Sequence, residues 1–246
     1  MNGRRENVNR DLIFIGGLVV IAAALIAYLV LRPDSDGPAT PAAGPSVTSL
    51  SDTEAAGAGA EGRGSPVERR QPGDPLALGA PDAPVALVVF SDYRCPFCAK
   101  FSRDIEPELV DRYVDAGRLR IEWRDFPIFG PQSMSAARAG RAAAEQGKFW
   151  EFNSAVYAAA PERSKADLTD EALIDFARQA GVPDIDRFTA AMRGSAFDAA
   201  INSDLAQGTG IGVPSTPAFL INDVPMLGAQ PIEDFVRAVD GALAGR

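Results

Sequence analysis

Cys95 and Cys98 are the only cysteines among 246 residues, and they lie three positions apart. An apolar run, Val85-Ala86-Leu87-Val88-Val89-Phe90, precedes them through Ser91-Asp92-Tyr93-Arg94, and helical sequence follows from Ala99. A strand feeding a helix start puts Cys95 near the N-cap and Pro96 at the first helical position, where proline's missing N–H leaves nothing unsatisfied. Cysteines at i and i+3 in a first turn can close a small disulfide ring, and the positive end of the helix dipole favours thiolate over thiol at Cys95. The reading is a redox dithiol. Two others stand beside it. A structural disulfide is disfavoured because so short a loop gives little stabilisation by closure. A soft-metal site, for copper, lacks an accompanying methionine or histidine cluster.

Composition narrows the remaining chemistry. The chain has no histidine, which excludes Ser-His-Asp and Cys-His triads, His-ligated metals and imidazole acid–base work. Two cysteines are too few for a four-cysteine zinc or iron–sulfur site in one chain. A formal charge of −9, with no basic cluster beyond the first ten residues, excludes a nucleic-acid partner held by clustered Lys and Arg. The 46% hydrophobic content is ample for a packed core.

The elements around the dithiol can be read in order. Val85–Phe90 is apolar on both faces and is expected at the centre of a sheet. The helix after Cys95 runs to about Asp115, kinked or divided at Pro107, and Gly117 closes it. Residues 118–123 alternate charged and apolar side chains, which predicts a strand with one solvated face. Helices follow over 133–146, 148–158, 169–180, 185–192 and 196–207, with Thr169-Asp170-Glu171 as a helix-start signal. Residues 218–221 read as a strand, Asn222-Asp223 as a turn, 224–227 as its hairpin partner and 232–244 as a closing helix. The order is β-α-β, a helical block, then β-β-α. Trp123, Phe126, Trp150 and Phe152 are assigned to the core.

The N-terminal third has a different character. Residues 1–11 are short and polar. Residues 12–31, LIFIGGLVVIAAALIAYLVL, carry no charge and as a helix would span about 30 Å, enough to cross a bilayer. Arginines precede this segment and Asp34 and Asp36 follow it, so the N-terminus is expected in the cytoplasm and the rest outside. A cleaved signal peptide is the alternative; the apolar run is long for one and no small-x-small site follows directly. Residues 32–74, rich in Pro, Gly, Ala, Ser and Thr, read as a disordered linker with a reach of about 35 Å, leaving 75–246 as the folded domain.

Asp92-Tyr93-Arg94-Cys95-Pro96-Phe97-Cys98, the helical block, and Gly212-Val213-Pro214-Ser215-Thr216-Pro217-Ala218-Phe219 before a strand together resemble the DsbA-like branch of the thioredoxin superfamily, in the membrane-anchored form of Gram-positive and actinobacterial envelopes. The resemblance covers about residues 75–246. It implies an α/β thioredoxin-like fold with a helical insertion at about 133–211, beside the single N-terminal transmembrane helix. It implies a thiol–disulfide oxidoreductase, more readily a disulfide oxidase than a reductase or isomerase, whose redox group is the Cys95–Cys98 disulfide and which needs no other cofactor. A non-catalytic client- or metal-binding module is the alternative from another class.

By the same resemblance, Cys95 is the exposed attacking sulfur and Cys98 the resolving one, with Pro96 and Phe97 as the active-site dipeptide. Pro217 is the cis-proline beside the dithiol, in preference to Pro214, and the main chain of Thr216 pairs with an extended client. Members often carry an acid six residues before the first cysteine as a proton relay; Val89 stands there, which leaves Asp92, with Arg94, as the candidates for proton relay or thiolate tuning. Implied partners are exported cysteine-containing clients and a quinone-linked membrane reoxidase of DsbB or VKOR type.

Overall fold

The computed structural model describes residues 67–245. The expected transmembrane segment at 12–31 and the linker up to residue 66 lie outside the described residues. Among the described residues no helix is long and apolar enough to cross a membrane.

The five strands are β1 (Ala77–Leu78), β2 (Val85–Ser91), β3 (Leu119–Asp125), β4 (Ala218–Ile221) and β5 (Val224–Leu227), in the order β1-β3-β2-β4-β5. β2 is central and all seven of its residues are buried, which explains its unbroken apolar run. It pairs parallel with β3, Val89 opposite Trp123, and antiparallel with β4, Val89 opposite Phe219. Asn222 and Asp223, both at positive φ, form the β4–β5 turn, and the Asn222 side chain accepts from Ala86 N at 2.9 Å.

The helices are α1 (Pro96–Asp104), α2 (Glu106–Leu109), α3 (Pro131–Ala144), α4 (Phe149–Ala158), α5 (Asp170–Gln179), α6 (Ile185–Arg193), α7 (Asp198–Gly210) and α8 (Ile232–Ala244). Pro107 divides the helix after the dithiol: α1 stops at Asp104, and α2 leads into a π-helical turn over Val110–Val114. Thr169 caps α5 by accepting from Ala172 N. The insertion α3–α7 lies between β3 and β4, giving an α/β thioredoxin-like fold with a helical insertion.

One face of the sheet carries the main core. Phe101 of α1, Phe219 of β4 and Phe235 of α8 meet at centroid distances of 4.7, 4.9 and 5.5 Å. Beneath the dithiol loop, Tyr93 packs on Trp123, Phe152 and Tyr157. Trp123, Phe126 and Phe152 are buried and Trp150 is half-buried against the core.

The other face of β3 corrects the expectation of a solvated side. Arg120, Glu122 and Arg124 are all buried. Glu122 explains how: its two carboxylate oxygens accept from the backbone N–H groups of Arg70 and Arg69 at 2.8 and 2.9 Å and from Arg120 and Arg124 at 2.7 and 2.8 Å. Asp204 of α7 bonds Arg141, Asp125 N and Arg69. Alternation reported the pleat correctly, but the charged side is covered by α7 and by the segment starting at Val67. That segment corrects the linker boundary too, since Val67 is buried and its carbonyl accepts from Arg124 at 2.7 Å. At Gly208, an added Cβ would stand 2.6 Å from Phe126, so glycine lets α7 approach the sheet.

Candidate active site

β2 ends at Ser91, and its direction delivers Asp92-Tyr93-Arg94 to the start of α1. Cys95 is the N-cap with extended backbone angles, its N–H donates to the Asp92 carbonyl at 3.0 Å, and Pro96 opens the helix. Both cysteines are free thiols. The Thr216–Pro217 peptide is cis, and the Cys95 thiol donates to the Thr216 carbonyl at 3.3 Å. Pro214 is preceded by a trans peptide, there being no other cis bond among the described residues.

The two sulfurs differ in their surroundings. A hydrogen bond from Cys98 pulls the Cys95 pKa down to about 6; burial opposes this, while the Thr216 side chain and the N–H groups of Cys98 and Phe97 reinforce it. Burial pushes the Cys98 thiol well up, and Cys95 adds to that. Cys95 is therefore the natural thiolate and Cys98 the natural thiol.

Cys95 was expected to be exposed; only 2% of it is, because the Thr216 main chain lies across it. Access runs through a groove of 590 Å³ beside the sulfur, whose lining includes Phe97, Phe129, Thr216 and Lys165. Phe97, 59% exposed, projects at its edge.

Asp92 and Arg94 are committed to other atoms. Asp92 is buried; its oxygens accept from Arg94 N at 2.8 Å, Ile128 N at 2.7 Å and Phe129 N at 3.2 Å. Burial raises its pKa and those bonds oppose the rise. Arg94 donates to the carbonyls of Ala166 at 2.9 Å and Phe129 at 2.7 Å. The pair brace the loops that wall the groove, and the Asp92 main chain also lowers the Cys98 pKa in part. Val89 sits in mid-strand among apolar neighbours.

The polar groups behind Cys98 were missed by sequence reasoning. Ser91 faces Cys98 and lowers its pKa in part. Its hydroxyl hydrogen-bonds that of Tyr157 at 3.0 Å, and Tyr157 also donates to the Asp92 carbonyl at 3.1 Å. Ser91 could have been suspected as the strand's polar last residue; Tyr157, 66 positions away, gave no local signal. Among the described residues no cluster of three or more potential metal ligands forms.

A family model described as thioredoxin matches residues 71–241. The chain belongs to the thioredoxin family, as a DsbA-like thiol–disulfide oxidoreductase. It is 27% identical over 150 residues to a probable disulfide bond formation protein D of Bacillus anthracis, covering 59% of this chain and 69% of that one. It is 32% identical over 168 residues to the Na(+)/H(+) antiporter NhaA 3 of Salinispora tropica; this covers 68% of the chain but spans only 24% of the antiporter's length. The crystal structure of oxidised BdbD from Bacillus subtilis superposes with a TM-score of 0.65 at 24% identity, covering 70% of this chain and 94% of that one. In this thioredoxin-family chain, the β2–α1 junction and the loop before β4 meet at Cys95, which puts the dithiol where two antiparallel-paired strands fix its position.

Proposed function

We propose that the chain is a membrane-anchored, extracytoplasmic disulfide oxidase for exported proteins, with Cys95 and Cys98 as its catalytic pair. The observation that carries this is the asymmetry of the two thiols: about 6 for Cys95 against a Cys98 raised well above the ordinary value. A thiolate stabilised in the reduced form makes the disulfide a better oxidant and Cys95 a better leaving group.

In the cycle, a client thiolate attacks Cys95 Sγ of the Cys95–Cys98 disulfide. The Cys95–Cys98 bond breaks, a client–Cys95 bond forms, and Cys98 leaves and takes up a proton. A second client thiolate then attacks the client sulfur of that mixed disulfide, and Cys95 leaves as the thiolate. The client loses two electrons and the dithiol gains them. The Thr216 main chain, lying over Cys95 beside the groove, is the edge with which an extended client would pair, and Pro96 and Phe97 shape its approach. Turnover requires a membrane reoxidase; the resemblance favours a quinone-linked partner of DsbB or VKOR type. The segment 12–31 would be the anchor, with the catalytic domain outside the cytoplasm. The relative named a probable disulfide bond formation protein supports the same direction of reaction.

Equilibration of the full-length chain with glutathione buffers tests the direction. A thiolate near 6 predicts a potential between about −270 mV, the value for thioredoxin, and about −120 mV, that of a strong periplasmic oxidant. A value at or below thioredoxin's would make the chain a reductant. Cys95→Ser should abolish oxidation of a reduced model protein. Protease added to intact cells should release the domain, and protection until lysis would overturn the outward topology.

A further inference from the structure

The groove beside Cys95 differs in charge from the chain around it. The protein carries a net charge of −9, yet the groove's lining includes Arg163 and Lys165 and no carboxylate. Both cations are exposed, and neither forms an ion pair among the described residues. Elsewhere on the surface Lys148, Arg178, Arg187 and Arg193 each hold a carboxylate. The neighbouring hollow shares Pro96, Phe97 and Arg163 with the groove and also carries Glu162; there Lys100 is bound to Asp104 and Arg103 to the Tyr157 carbonyl, so those two cations are already committed.

Lys165 is also held in place. The Lys165 ammonium sits 4.6 Å from the centroid of the Phe129 ring. Phe129 is pinned by its N–H to Asp92 and its carbonyl to Arg94, and Arg94 also holds the carbonyl of Ala166, the residue after Lys165. The loop that delivers Cys95 thus fixes the loop that carries the charges. An exposed lysine with no tether would spread its charge over many rotamers; here it faces a groove beside the reactive sulfur.

We propose that this groove selects client segments with Asp or Glu next to the reacting cysteine. The proposal rests on the oxidoreductase reading and adds the chemistry of the preferred client. Acidic side chains would meet unpaired cations there, while basic ones would meet like charge within a Debye length of about 8 Å.

The test uses three otherwise identical peptides in which the cysteine is flanked by Glu, Gln or Lys, oxidised by the disulfide form of the full-length chain. An acidic neighbour lowers a peptide thiol's own thiolate fraction, so each rate is divided by that of the same peptide with neutral 2-hydroxyethyl disulfide. At low ionic strength the corrected rate for the Glu peptide should exceed that for the Lys peptide about tenfold, and about 0.5 M salt should compress the ratio toward one. Arg163→Glu with Lys165→Glu should invert the order, and Arg163→Gln with Lys165→Gln should flatten it. Circular dichroism reports whether each variant is folded, and the glutamine pair decides if the charge reversal unfolds the loop. Equal corrected rates in the unmodified chain, or a Glu preference that the folded glutamine pair keeps, overturn the proposal while leaving the oxidoreductase reading intact. A chain that oxidises none of the peptides overturns both.

Discussion

The Thr216 carbonyl accepts the Cys95 thiol at 3.3 Å, a contact between residues 121 positions apart. Two adjacent strands make it possible. Phe90, near the end of β2, stands opposite Ala218 at the start of β4, so the loop leaving one strand and the loop entering the other meet at the same edge. A slip of one residue in that pairing would reverse which face every β4 side chain presents. The site's geometry is therefore a consequence of sheet register.

The buried Thr216 hydroxyl has no partner beside the protonated thiol, so it is free to turn and donate to the Cys95 thiolate, which helps hold that pKa at about 6 after the larger effect of Cys98. Thr216→Val keeps the volume and the carbonyl and removes the hydroxyl. Loss of one hydrogen bond to a charged group, worth about 1.5 kcal/mol, should move the thiolate midpoint up by about one pH unit. Thiolate absorbance at 240 nm followed against pH measures this directly, and an unchanged midpoint would remove Thr216 from the groups that tune Cys95.

Cys98 should behave as a buried, inert thiol. With Cys95→Ser in place, burial alone keeps Cys98 protonated and covered, so iodoacetamide at pH 8 should modify it about a hundredfold more slowly than it modifies Cys95 in the unchanged chain. Mass spectrometry of timed samples reads the two rates. Comparable rates would mean that the asymmetry carrying the proposed direction is absent.

How far these features were legible depended on how local they were. Residues 218–221, Asn222-Asp223, 224–227 and 232–244 could be read almost to the residue, because a hairpin and a closing helix are set by neighbouring side chains. β3 was legible as a strand and misleading as a surface. Its alternate charges ordinarily imply water, and nothing near residue 122 announces that Arg69 and Arg70 will cover Glu122 from 53 and 52 positions away. The same limit applies at the site. Cys95 and Pro96 were plain from their spacing, and Thr216 and Pro217 only through resemblance. The bracing by Asp92 and Arg94 depends on Ile128 and Ala166, 36 and 72 positions on, which no local pattern connects.

Glu122 gives a stability prediction with a definite pH sign. Burial alone would raise its pKa, but the Arg69 N–H, Arg120 and Arg124 outweigh that and hold it at about 2. A carboxylate held below its ordinary value contributes stability that is complete above the ordinary range near 4.5 and is lost as pH falls toward about 2. Glu122→Gln should therefore destabilise the chain at pH 7, by about 3 to 5 kcal/mol, since it strands buried arginines without their anion. The penalty should shrink in acid, where the unfolded chain protonates Glu122 below about 4.5 and folding to the ionised form must release that proton. Urea denaturation at pH 7 and pH 3 tests this; a penalty equal at both values would mean that the carboxylate acts by shape rather than by charge.

Gly140 in α3 carries a different kind of constraint. A Cβ there would stand 2.5 Å from Tyr93 Oη and 3.1 Å from Cζ, well inside ordinary contact. The ring has little room to retreat, because it stacks on Tyr157 at 5.4 Å and meets Trp123 at 5.2 Å. Alanine would gain up to about 1 kcal/mol in helix propensity. Overpacking of a closed core costs about 1 to 3 kcal/mol, so Gly140→Ala should destabilise on balance. Tyr93→Phe removes the nearest clashing atom, so the double variant should recover part of the loss while the ring carbons at 3.1 and 3.2 Å keep the remainder. Urea midpoints of the four chains in that cycle supply the coupling. Because Tyr93 lies two residues before Cys95, the single variant should also displace the dithiol loop and move the Cys95 titration. Strict additivity of the two substitutions would show that the helix and the tyrosine do not press on each other.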